Sequence, residues 1–151
     1  SAMVFAGVSA TGRTPLIFVE KDVRIDKNVY VEILNNRLLP CATEHYENGH
    51  WILQQDGSPA HLAKPTEYWC LANLPDASEW PANSPGLNVL DFSIWVMLEQ
   101  KACRKKHTSV QALRKCLEEA RNEIPHDHVL AMEAYLKRLK AVIRAKGGHI
   151  E

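Results

Sequence analysis

The sequence predicts an α/β domain. Three features carry that expectation. Two short apolar runs near the N-terminus flank a turn, a third apolar run stops on an aspartate, and the second half repeats apolar residues every three or four positions.

The first two runs are 3–9, with Val4, Phe5 and Val8, and 14–20, with Leu16, Ile17, Phe18 and Val19. Thr11-Gly12 between them reads as the turn of a β-hairpin. After a polar linker, Asp26 suits a helix N-cap, and Val31, Leu34 and Leu38 share one face of a helix beginning near Lys27. Pro40 is expected to interrupt it, since proline has no amide proton and its ring crowds the preceding turn. Residues 41–48 add a turn or two, and Asn48-Gly49 ends them. Trp51 to Gln55 reads as a buried strand. Gly57, Ser58 and Pro59 stop that strand, which leaves Asp56 at its C-terminal tip.

Residues 60–73 read as helical with a disturbance at Pro65, and 77–80 as a short strand. Ser84-Pro85-Gly86 forms a tight turn. A helix then spans 88–105, with Leu87, Leu90, Ile94, Leu98 and Ala102 on its buried stripe and Asp91 in its first turn. The basic run Arg104-Lys105-Lys106-His107 suits a solvated helix end. Ser109 opens the next helix, with Val110, Leu113, Leu117, Ala120 and Ile124 on one face. A last helix follows Pro125, with Val129, Met132, Leu136, Leu139 and Ile143 on one face and Lys137, Arg138, Lys140 and Arg144 outside. Gly147-Gly148 ends it.

The 151 residues are enough for one domain, 3–151, with Ser1-Ala2 ahead of Met3 read as an expression scar. Eighteen basic residues balance eighteen acidic ones. Phosphate contacts dominate nucleic-acid affinity, so this balance argues against a strong free-standing DNA binder. No apolar run approaches the roughly 18 residues that cross a bilayer, so no membrane partner is expected. Cys41, Cys70, Cys103 and Cys116 make no C-x-x-C pair, which argues against structural zinc. They read as reduced intracellular thiols, mostly core-facing. His126-Asp127-His128 has metal-ligating chemistry, but a helix start with Asp127 as N-cap is the preferred reading.

Asp56 and Asp91 are the candidate site. Mg²⁺ takes hard oxygen ligands and keeps several waters, so few protein carboxylates suffice. Two such ions about 3.5–4 Å apart can activate an attacking oxygen and steady a leaving one. Each acid also has a structural explanation. Asp56 suits a turn, and a carboxylate in a helix's first turn favours the helix dipole by about 0.3–1 kcal/mol.

The words around these acids tip the balance. Gln55-Asp56-Gly57-Ser58-Pro59-Ala60-His61 resembles the "QDNAPAH" block of Tc/mariner transposases. Trp80-Pro81-Ala82-Asn83-Ser84-Pro85-Gly86-Leu87-Asn88 resembles their "WPxxSPDLNP" block, which leads into the third acidic residue. The 34 residues between positions 56 and 91 match the mariner branch. The segment 141–149 resembles the superfamily's "AVIxAKGGH" tail. The resemblance implies a ribonuclease H-like mixed sheet flanked by helices. It also implies a DDE/DDD triad using Mg²⁺ or Mn²⁺ to nick and join DNA, with Asp56 and Asp91 as catalytic metal ligands. DNA is the implied partner and the nucleus the implied location. His61 belongs to the first block and lies near the metal site in the superfamily; a structural role fits it equally well.

Three residues depart from the pattern: Gly57 for Asn, Gly86 for Asp, and Val89 for Pro. Asp22 and Asp26, the only aspartates upstream of Asp56, match the wrong place for the triad's first acid. The first strand of the fold is therefore expected to be missing, a truncation at the N-terminus. A bare central strand edge invites pairing with another chain, so a homodimer, with exchanged hairpins as one route, is expected. With two of three ligands the fragment should be inactive or nearly so. The alternative is a domesticated, non-enzymatic dimerisation or interaction module.

Overall fold

The computed structural model describes residues 2–20, 22–47, 49–75, 77, 87–88, 93–124 and 126–147. They fall into two compact units, Ser1–Asp22 with Gly86–Glu151, and Val23–Pro85.

In the first unit the hairpin forms as expected. β1 (Met3–Phe5) pairs antiparallel with β2 (Ile17–Val19), Val4 opposite Phe18. A further bridge joins Val8 and Arg13, and the Ser9 N–H donates to Gly12 O at 2.8 Å across the turn. Thr14 braces the hairpin from inside: its Oγ1 accepts from the Gly7 N–H at 2.8 Å. Among the described residues this two-stranded antiparallel pair is the whole sheet, so the expected mixed sheet is not seen there.

Three helices complete the unit: α5 (Trp95–Ala102), α6 (Val110–Asn122) and α7 (Asp127–Arg144). Ile94, Leu98 and Ala102 are buried, as the stripe predicts. The core joins Ile94, Leu98, Ala120, Ile124 and Ala131, with Val8, Trp95, Met97 and Leu117 packed around it. α5 stops at Ala102 rather than continuing to Lys105, because His107 Nε2 lies 2.6 Å from Ala102 O and caps that end. Ser109 Oγ caps α6 by accepting from the Ala112 N–H at 3.1 Å. The expected start of the 88–105 helix, including Asp91, lies outside the described residues, as do most of the 77–80 strand and the Ser84-Pro85-Gly86 turn.

Two expectations for α7 are overturned. His126 holds the N-cap position in the left-handed region, φ 60°, while Asp127 is the first helical residue and is fully buried. Nor is the apolar stripe buried among the described residues: Val129, Met132, Leu136 and Ile143 are exposed. Periodicity marks a face that wants burial, but only the unit's packing decides whether anything covers it.

The second unit is helical. Asp26 Oδ1 accepts from the Asn28 and Val29 N–H groups at 2.8 and 3.0 Å and opens α1 (Lys27–Ile33), as expected. Pro40 does not interrupt the helix. α1 runs through a π-helical turn (Leu34–Leu38) into α2 (Leu39–Tyr46), and the Leu39 N–H reaches back five residues to Leu34 O. The wider turn ahead of Pro40 suits a residue with no N–H to give and a ring that crowds the preceding turn. α2 ends with Glu47 in the left-handed region, φ 47°. The Gly49 N–H then donates to Tyr46 O at 2.6 Å, and a Cβ on Gly49 would also lie 2.6 Å from that oxygen, so only glycine fits.

Trp51 to Gln55 is not a strand; it forms no backbone ladder among the described residues. Side chains tie it down instead. Trp51 stacks on Tyr46 with ring centroids 6.2 Å apart, and the Tyr30 hydroxyl donates to Gln55 Oε1 at 2.6 Å. Pro65 divides the next helix, as anticipated: α3 (Pro59–Leu62) and α4 (Lys64–Asn73) meet at Ala63, whose ψ of 135° is extended. The Thr66 hydroxyl bridges the break by donating to Ala60 O at 2.7 Å. Tyr30, Ile33, Leu34, Leu38 and Ala42 from the first helical run, with Thr66 and Cys70 from α4 and Leu74 at its C-cap, are the buried residues among those described. The four cysteines are free thiols; only Cys70 is buried, fewer than expected.

Candidate functional site

Asp56 sits on the loop between the Trp51–Gln55 strap and α3, with its side chain 39% exposed. Two groups hold one carboxylate oxygen. The Ser58 N–H donates to Oδ1 at 3.0 Å, and His61 Nδ1 lies 2.5 Å from the same atom. His61 Nδ1 also lies 3.3 Å from the Asp56 carbonyl, so one imidazole edge fixes both side chain and backbone. Burial works to raise the Asp56 carboxyl, but the Ser58 N–H and the neighbouring His61 outweigh it and hold it below its ordinary value. Among the described residues these carboxylate contacts all go to Oδ1, and the side chain as a whole is partly exposed.

A second layer supports this arrangement. Tyr30, from α1, is 2% exposed, and its ring lies against His61 with centroids 4.1 Å apart. Its hydroxyl holds Gln55, the residue before Asp56. Burial raises the Tyr30 hydroxyl far above its usual range, with Cys70 and Asp56 adding to the shift, so it stays a neutral donor. Burial likewise pushes the Cys70 thiol up, aided by Glu67. Tyr30 was not singled out by the sequence reading, although its position before Val31 on α1 is visible there.

Among the described residues no group of three or more His, Cys, Asp or Glu gathers as a metal cage. Asp91 lies outside the described residues. The chemistry of Asp56 fits a divalent ion. Its partly exposed carboxylate is a hard oxygen donor, and the His61 contact to Oδ1 orients it, the way outer-shell partners commonly fix a ligand.

A different cluster lies in the first unit. Arg13 Nη1 and Arg121 Nε stand 3.1 and 3.3 Å from Asp127 Oδ2. Arg13 also donates to the carbonyls of Arg121 and Ile124, at 3.3 Å each. Burial lowers the Arg121 guanidinium, and the Asp127 charge opposes that shift. Arg121 Nη1 and Nη2 and Asp127 Oδ1 have no hydrogen-bond partner among the described residues. A cleft of about 430 Å³ beside the cluster is lined by Arg13, Thr14, Glu118 and Arg121 among others. Arg13 and Arg121 share Asp127, and Glu118 adds an acid to the cleft lining, so the cleft has no cluster of unopposed positive charge. The cluster is structural. Arg121 was detectable: it follows Leu117 by four positions and precedes Ile124 by three, a core position for a charged residue.

Over 148 residues, 97% of its length, the chain is 32% identical to the transposase of the transposable element Tcb1 from Caenorhabditis briggsae. Its homologues are Tc1/mariner transposases. The Tcb2 transposase of the same nematode is 28% identical over the same length, and the Tc3 transposase of Caenorhabditis elegans is 28% identical over 110 residues. The chain spans about half, 53%, of the length of the first two of these curated relatives. No family model matches the sequence. Among solved structures, the Mos1 transposase catalytic domain with raltegravir and Mn superposes with a TM-score of 0.79. That likeness covers 99% of this chain and 78% of Mos1 at 17% identity. The form with Mg gives the same score, and the Mos1 paired-end complex with the left transposon end gives 0.80 over 45% of that chain. At such identity the likeness shows the fold: this Tc1/mariner homologue has the ribonuclease H-like fold of the Mos1 catalytic domain.

Proposed function

We propose that the chain is a portion of a transposase catalytic domain whose parent cleaves DNA phosphodiesters and transfers the strand, using Mg²⁺ or Mn²⁺. The observation that carries this reading is the Asp56 loop, in which the Ser58 N–H and His61 hold one oxygen of a partly exposed carboxylate. Asp56 and Asp91 would hold the ion. When bound, it would polarise the scissile phosphate and make water or a 3′-hydroxyl a stronger nucleophile. The chain's own task is positional: Ser58, His61 and, through Gln55, Tyr30 keep the Asp56 carboxylate in one orientation. The parent would act in the nucleus, where its DNA is.

The chain alone should cleave DNA poorly. Asp26 caps α1, and both Asp22 and Asp26 match the wrong place in the family pattern for the triad's first acid. The test is Mn²⁺-induced NMR line broadening. The Asp56 and Asp91 signals should broaden first at low millimolar Mn²⁺, and Asp56→Ala should abolish broadening at Asp91. Uniform broadening across the surface would refute the site. Robust plasmid nicking lost in Asp56→Ala would keep the site and refute the inactivity.

One observation favours a second reading, a non-enzymatic self-association or docking module: Val129, Met132, Leu136 and Ile143 on α7 are exposed among the described residues. Exchange of hairpins between two copies is the other route to a homodimer.

A further inference from the structure

Charge in this chain is balanced in total but not in place. Residues 100–117 hold Lys101, Arg104, Lys105, Lys106, Arg114 and Lys115, six of the chain's 18 basic residues, and no acid. Half of these are engaged within the unit. Lys101 Nζ binds Glu123 Oε2 at 2.7 Å, and Lys115 stands 3.8 Å from Glu119. Arg114 donates to Val19 O and lies over the Phe18 ring. Arg104, Lys105 and Lys106 remain. All three are exposed and make no ion pair or hydrogen bond among the described residues, although Arg104 lies within electrostatic reach of Glu123.

The helix end does not account for them. A helix dipole favours cations within its last turn. α5 stops at Ala102, where the Cys103 N–H closes on Glu99 O at 2.8 Å, so Arg104 to Lys106 lie past that turn. The segment that carries them is tied at both ends: His107 Nε2 lies 2.6 Å from Ala102 O, and Ser109 Oγ caps α6. Three like charges are thus gathered on one short turn between two helices, and their mutual repulsion is relieved by an anion. The turn's composition says which anion. Residues 103–109 contain no Phe, Trp or Tyr and no Leu, Ile, Val or Met. A membrane-surface element needs apolar residues to insert, and a single-strand binder needs rings on which bases stack. Being tied to helices, the run is also not the extended strand that a peptide-binding groove takes. It offers point charges alone. Their match is a dense, regular row of opposite charges, and duplex DNA presents one for about every 1.7 Å of its axis.

We propose that the turn between α5 and α6 is a DNA-backbone contact, in which Arg104, Lys105 and Lys106 meet the phosphates of a duplex without regard to its sequence. That the duplex is DNA rests on the function proposed above; the contact itself uses neither Asp56 nor an ion. With a balanced total charge behind it, the hold is weak and salt-sensitive, and it positions the duplex rather than selecting a sequence.

Fluorescence anisotropy of the chain with two short labelled duplexes of unrelated sequence, over a series of salt concentrations, tests the assignment. A chelator is present throughout, so failure here leaves the metal site untouched. Three phosphate contacts contribute about −2.7 to the slope of log affinity against log salt, roughly −0.9 each. The triple variant Arg104→Gln, Lys105→Gln, Lys106→Gln should lose about that much slope on both duplexes alike, and each single change about a third of it. The triple variant Lys137→Gln, Lys140→Gln, Arg144→Gln removes the same charge from exposed positions on α7 and should leave the slope near wild type. No binding at the lowest salt, a slope unmoved by the first triple, an equal loss from the second, or a preference for one duplex overturns the proposal. So does tighter binding to anionic vesicles or to a polyglutamate peptide that the first triple abolishes, since a membrane or an acidic protein would then be the partner.

Discussion

Removing Asp127 should cost more than any other single polar change among the described residues. Its carboxylate is fully buried and is the shared counter-charge of Arg13 and Arg121, at 3.1 and 3.3 Å. In Asp127→Ala, Arg121 keeps its charge in a site where its side chain is 5% exposed and two of its nitrogens already lack partners. Arg13, at 29% exposure, can turn toward water, so its share of the loss is small. Stranding one buried charge typically costs about 3–5 kcal/mol. For a chain of this size that lowers Tm by on the order of 10 °C. Urea denaturation at neutral pH measures the loss. Adding Arg121→Met in the Asp127→Ala background should recover most of it, because the penalty is the unpaired charge rather than the lost contact. A cost below about 1 kcal/mol for Asp127→Ala, the range of an exposed pair, would refute the reasoning.

Three further outcomes are expected. The Asp56 carboxyl, followed by NMR, should titrate below the roughly 3.9 of a free aspartate, and His61→Ala should move it upward. Because the folded value is depressed, its stabilisation is complete above the unfolded value and is lost as pH falls through the folded one, so acid unfolding of wild type should be steeper than of His61→Ala. Tyr30→Phe, which removes the 2.6 Å bond to Gln55, should cost about 0.5–1.5 kcal/mol in urea melts; no change would mean the hydroxyl does not hold the strap. Gly49→Ala should destabilise by roughly 1–3 kcal/mol, the scale of overpacking, since its Cβ would sit 2.6 Å from a backbone oxygen that cannot yield; a neutral thermal melt would contradict that.

What the sequence made legible was local. The Asp26 cap, the Ser109 cap, the break near Pro65 and the buried Ile94–Leu98–Ala102 stripe each depend on neighbours within a turn or two. The hairpin was legible for the same reason. Expectations that needed a distant partner fared worse. Trp51 to Gln55 has strand-like residues, yet it is pinned by Tyr46 and Tyr30 rather than by a ladder. The α7 stripe has a core-like period, but among the described residues Val129, Met132, Leu136 and Ile143 remain exposed. Asp127 looked like a cap because its buried arginine, Arg121, and Arg13 on the hairpin lie 6 and 114 positions away in the chain, beyond what a capping pattern reads. Of the candidate site, Asp56 and His61 were legible from one motif, and Tyr30 was not, because its link to Gln55 spans 25 positions.

Whether Asp56 and Asp91 hold one ion together is decided by Mn²⁺ titration calorimetry on four proteins: wild type, Asp56→Ala, Asp91→Ala and the double variant. A shared ion predicts that either single change removes nearly all the affinity and that the second removes little more. Losses that simply add, or Mn²⁺ affinity untouched by either change, would contradict it.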